Sequence, residues 1–108
     1  MNRISRKHLD SKVATINSLL GAPPEPYSLQ SGRFMFMANI GNYHIASNAP
    51  GDRYGTRYSL ERIVTDGGGV TVISGTQVCG AQDFVDVLSA MISGIVAAQE
   101  AMKHSLAA

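Results

Sequence analysis

Residues 81–102, AQDFVDVLSAMISGIVAAQEAM, decide how the rest of the chain is read. Phe84, Leu88, Met91, Ile95, Ala98 and Met102 recur at helical spacing along one stripe, so a helix is expected from near Ala81 almost to the C-terminus. Val85, Ile92 and Val96 form a second stripe beside the first. A helix apolar around that much of its circumference is buried in a large core or pressed against another subunit, and 108 residues do not supply the large core. The sequence therefore predicts self-association, most simply a two-fold dimer with Val85, Ile92 and Val96 at the oligomer interface. Ala90, Ser93, Gly94 and Ala97 are small enough to let helices approach closely.

Working back from that helix, residues 75–80 read as a connection and Val70, Thr71, Val72 and Ile73 as a strand, for their β-branched density. Upstream, Ser59 is suited to cap a short helix with Leu60, Ile63 and Val64 facing inward, stopped by Gly67, Gly68 and Gly69. Residues 47–57 are dominated by turn formers and read as an exposed loop. Asn42, Tyr43, His44, Ile45 and Ala46 read as a strand. The run from Arg33 to Ala38, apolar on both faces, reads as another, covered on both sides. Between them, residues 39–42 read either as a hairpin turn or as a glycine bulge at Gly41 within one long strand. Pro23, Pro24 and Pro26 make a stiff connector. Leu9, Val13, Ile16 and Leu20 give a first helix with one buried stripe, capped by Ser5 and ended by Gly21. The expected class is α+β: a small antiparallel sheet flanked by N- and C-terminal amphipathic helices, in the order α-β-β-α-β-α, in a single domain over residues 1–108.

Composition narrows the function. Hydrophobic residues make up 44% and charged residues 16%, with a net charge of +1, which provides no long-range field for nucleic acid or anionic lipid. The basic residues Arg3, Arg6, Lys7 and Lys12 lie on or before the polar face of the first helix, where a solvated face is their ordinary meaning. Prolines and strands follow in place of a recognition helix, so nucleic-acid binding is disfavoured. The single Cys79 makes no internal disulfide or metal pair. The apolar stretch near residues 84–98 is broken by Asp86, Ser89, Ser93 and Gly94, which argues against a membrane span. Arg3, Arg6, Lys7 and His8 lead into an amphipathic stretch and not the apolar region of a signal peptide, and a cytoplasmic location in the host cell is expected.

The runs Asn42-Tyr43-His44-Ile45, Tyr58-Ser59-Leu60-Glu61-Arg62-Ile63-Val64 and Gly67-Gly68-Gly69-Val70, with Leu20-Gly21-Ala22-Pro23 after the first helix, resemble a family of small proteins encoded by tailed phages and prophages. The resemblance spans most of the chain and departs from the pattern in the length of residues 47–57. It implies a phage accessory protein. The family has no assigned activity, so no catalytic residue is carried over.

The segment richest in chemistry offers Asn42, Tyr43, His44, Arg53, Tyr54, Arg57 and Tyr58. Arginine forks pair with phosphate or carboxylate, tyrosine faces stack on bases and asparagine reads a base edge, so these are the candidate ligand-binding residues. The competing reading has Tyr43 and Tyr58 packing the edge of the core, with Arg53 and Arg57 solvated or paired with Asp52. Asp66 and the glycines after it stand between helix and strand, the reverse of the order in a phosphate loop. Neither His44 with Asp52 or Asp66, nor Ser47 or Ser59 as a nucleophile, comes with the partners catalysis requires, and no metal-ligand spacing is present. The expected function is a non-enzymatic accessory protein, without cofactor or metal, that binds a host protein or small ligand as a homo-oligomer. The alternatives are sequestration of a nucleotide-type signal at a subunit interface, and a small hydrolase or transferase using His44.

Overall fold

In the computed structural model, residues 4–29, 36–48 and 56–107 are described. Helix α1 (Arg6–Leu20) begins where expected: Ser5 is extended, and its hydroxyl accepts from the His8 N–H at 3.1 Å. It ends at Gly21, left-handed at φ 66°, whose N–H bonds back to the last turn. Leu9, Val13 and Ile16 are buried on its stripe, whereas Leu20 is exposed.

The proline connector leads into a two-stranded antiparallel sheet, β1 (Tyr27–Leu29) with β2 (Phe36–Ala38). Asn39 ties β2 to the connector, its N–H donating to the Pro26 carbonyl and its amide to the Glu25 carbonyl, both at 2.9 Å. Met37 is exposed, so β2 is not the doubly covered strand that the run ending at Ala38 suggested.

Residues 39–42 do form a turn, closed by the Asn42 N–H on the Asn39 carbonyl at 3.1 Å. The strands on either side of it belong to different sheets, so the turn makes neither a hairpin nor one continuous strand. Gly41, at φ 99°, donates to the Ile63 carbonyl while the Ile63 N–H donates to the Asn42 carbonyl, two residues set against one. This glycine bulge launches β3 (Tyr43–Asn48).

The main sheet has β4 (Arg57–Ile63) at its centre, antiparallel to β3 on one edge and to β5 (Val70–Val72) and β6 (Val78–Cys79) on the other. The short helix expected after Ser59 is therefore a strand. Leu60, Ile63 and Val64 have helical spacing, but Leu60 and Ile63 are both buried and lie on opposite faces of β4. A central strand covered on both faces carries apolar residues at both parities, which obscures its period. The glycines that were to end the helix form the β4–β5 turn, with the Val64 N–H on the Gly69 carbonyl at 2.8 Å and Gly68 at φ 90°.

Residues 73–77 swing away from β4 and would leave the buried Leu60 N–H without a partner. The Thr76 hydroxyl accepts from it at 3.1 Å and donates to the Ile73 carbonyl at 2.6 Å. The connection expected over residues 75–80 thus contains a short strand and a buried polar plug.

Helix α2 (Ala81–Ala107) packs with α1 over one face of this sheet. Leu9, Val13, Ile16, Leu60, Phe84 and Leu88 make the core, and Tyr58 stacks on Phe84 with ring centroids 5.3 Å apart. The chain is α+β, with antiparallel strands between terminal helices, as expected. The Gln99 amide donates to the Leu19 carbonyl at the end of α1; farther along, Met102 and Leu106 are 67% and 84% exposed. By length and composition, α2 is long and apolar enough over Ala81–Leu106 to cross a membrane, although Asp83 and Asp86 lie in its first turns and Phe84 and Leu88 in the core.

Candidate functional site

Strand alternation divides the candidate ligand-binding residues between the two faces of the sheet. Tyr43 and Tyr58 point toward the helices and pack against the core, with the Arg62 guanidinium 5.9 Å from the centroid of the Tyr43 ring. For these two tyrosines the core-edge reading is the one realised. Asn42, His44 and Arg57 lie on the opposite face. Arg53, Tyr54 and Asp52 are outside the described residues.

Asn42 is fully buried, and its amide donates to the Pro23 carbonyl at 2.9 Å. His44 stands opposite Glu61 in the ladder: its Nε2 is 3.2 Å from Glu61 Oε1 and its Nδ1 3.3 Å from Asn42 Oδ1. Each ring nitrogen faces an oxygen of the fold, and the neutral ring donates to one of them at a time. These residues brace the start of β3 against β4 and the connector.

A groove of about 420 Å³ opens at the other end of the same strand pair, between β3, β4 and β6. Asn48 and Arg57 face each other across the ladder, with Ala46 and Ser59 as the next pair. Gln77 adds an amide, while Ser47, Tyr58 and Val78 border the groove from the face of the sheet that carries the helices. None of the described lining residues is acidic. The ion pairs among the described residues are Arg6–Asp10 and His44–Glu61, and none of those residues gives Arg57 a carboxylate partner.

Of the seven candidates, Arg57 and Tyr58 border the groove from opposite faces of β4, apart from Asn42, Tyr43 and His44, which do not line it. Ser59 and Gln77 escaped the sequence reading because residues 59–64 scan as a helix and 75–80 as a plain connection. The usable signal was the alternation Arg57, Ser59, Glu61, which sets polar side chains on one face of a strand.

Among the described residues no group of three or more His, Cys, Asp or Glu could hold a metal ion. Of the α2 residues expected at an oligomer interface, Val85 and Ile92 are partly buried against the subunit's own core and Val96 is 41% exposed. Comparison with protein-family models, curated proteins and solved structures finds no match.

Proposed function

We propose that this chain is a non-catalytic binding protein of the phage accessory kind, acting as a homo-oligomer, whose β3–β4–β6 groove holds a small polar ligand bearing a phosphate or carboxylate. The observation that carries the reading is Arg57, unpaired by any acid among the described residues, in a groove otherwise lined by neutral hydrogen-bonding groups and apolar surface. A guanidinium fork binds such an anion through two parallel hydrogen bonds. The Asn48 and Gln77 amides and the Ser59 hydroxyl suit the polar body of a nucleotide-like molecule. His44 does not line the groove, so it is not placed to act as a general base on a ligand held there.

A thermal-shift screen of the full chain against nucleotides, cyclic dinucleotides and NAD derivatives tests the proposal. A ligand that binds only the native state adds about 2.7 kcal/mol at a hundredfold excess over its Kd, a rise in Tm of roughly 10 °C for a domain of this size. Arg57 is exposed, so Arg57→Ala should keep the native Tm without ligand and lose the rise. No shift at millimolar ligand, or an equal shift in Arg57→Ala, would remove the groove from the account.

A further inference from the structure

The outer edge of β3 is in use at one residue and open at the next two of the same parity. The Tyr43 N–H donates to Asn17 Oδ1 at 2.8 Å, and the Tyr43 carbonyl accepts from Asn17 Nδ2 at 2.9 Å. Backbone groups of an antiparallel strand turn alternately toward and away from the partner, so Ile45 and Ser47 point theirs in the same outward direction as Tyr43. The pairing agrees: Leu60, opposite Ile45, directs its own N–H to Thr76 and its carbonyl to Ile73, away from β3. Among the described residues nothing bonds to the outward groups of Ile45 or Ser47.

Alongside this edge from Asn42 to Ile45 a trough of about 540 Å³ separates β3 from α1, and Ser47 lies just past its end. Val13, Ala14 and the Arg6–Asp10 pair lie on its helix side, and residues 24–27 of the connector also line it. A row of donors and acceptors repeating every second residue, about 6.8 Å apart, is complemented by extended backbone. At Tyr43 the Asn17 amide already plays that part with a single peptide-like group.

We propose that the trough is a strand-addition site, in which an extended segment of a partner protein pairs with Ile45 and Ser47 and lies between β3 and α1. Asn17 is its end stop. Alternate side chains of the segment face Val13, Ala14 and Ile45 and are therefore small and apolar; Arg6 and Asp10 neutralise each other, and Glu25 on the connector side favours a basic residue there. The occupant is a single strand: α1 walls the trough opposite β3, whereas a second copy's β3 would bring β4 along its other edge. The site meets the Arg57 groove at Ser47 but does not include Arg57.

The test selects binders to the full chain from a library of random seven-residue peptides and follows amide hydrogen exchange with the selected peptide bound. Exchange at Ile45 and Ser47 should be fast in the free chain and at least tenfold slower in the complex. N-methylation of alternate peptide residues should weaken binding at least tenfold. So should Ser47→Pro, which removes one outward donor from an edge where proline is tolerated. Arg57→Ala should leave peptide binding unchanged, so the groove and the trough stand or fall separately. The proposal is overturned if no peptide binds at millimolar concentration, if a bound peptide leaves both amides fast, if both are already slow in the free chain, or if they slow as the chain's own concentration rises.

Discussion

Asn17 and Thr76 are buried side chains doing the work of missing backbone. Asn17 supplies a donor and an acceptor to Tyr43 where the sheet has no further strand, and Thr76 supplies an acceptor to Leu60 where β5 has left the ladder. A buried polar group that loses its partner costs about 1–3 kcal/mol, more than the net worth of the bond itself. Asn17→Ala and Thr76→Val should therefore each lower stability by about 2 kcal/mol in chemical denaturation; a loss below about 0.5 kcal/mol would show that water takes over the freed groups. Part of this was open to reading. Asn17 stands four residues after Val13, on the buried stripe of α1, and a polar residue there signals a partner outside the helix. Thr76 gave no such signal, because its role depends on where residues 73–77 depart from β4.

At the scale of elements, the helices were legible because their signals are local. Ser5, Gly21 and the spacing of Leu9, Val13 and Ile16 define α1 without reference to the rest of the chain. β4 was not legible as a strand, since what makes it one is pairing on both edges and burial on both faces, which residues 57–63 do not encode by themselves. The candidate site suffered for the same reason: residues adjacent in sequence were grouped, and the strand then sent Tyr58 and Arg57 to opposite faces. Helix α2 divides energetically near Gln99. Phe84→Ala removes a fully buried ring that stacks on Tyr58 and should cost about 3–5 kcal/mol. Truncation after Gln99 removes side chains that are exposed throughout residues 100–106 and should change subunit stability by less than about 0.5 kcal/mol; a comparable loss in both variants would mean that the helix end is part of the core.

The whole molecule is thin and open for its length. Its Cα radius of gyration is 16.0 Å, against roughly 13 Å for compact domains of about this size. Its accessible surface of 7549 Å² compares with roughly 5,800 Å² for a monomer of 11.5 kDa. The excess is larger than the about 800 Å² that each partner buries in a standard interface. Only 11% of the apolar window in α2 is buried. On these grounds sedimentation equilibrium should find a multiple of 11.5 kDa at micromolar concentration; a single 11.5 kDa species across the accessible range would defeat the oligomer.

The claim that this chain works by holding an anionic ligand is met most directly by titrating the isotope-labelled protein with a nucleoside monophosphate, and with inorganic phosphate in parallel, while following every backbone amide by NMR. The account predicts saturable shifts centred on Asn48, Arg57, Ser59 and Gln77, abolished in Arg57→Ala. Absence of saturable shifts, or shifts that centre elsewhere and persist in Arg57→Ala, would contradict it.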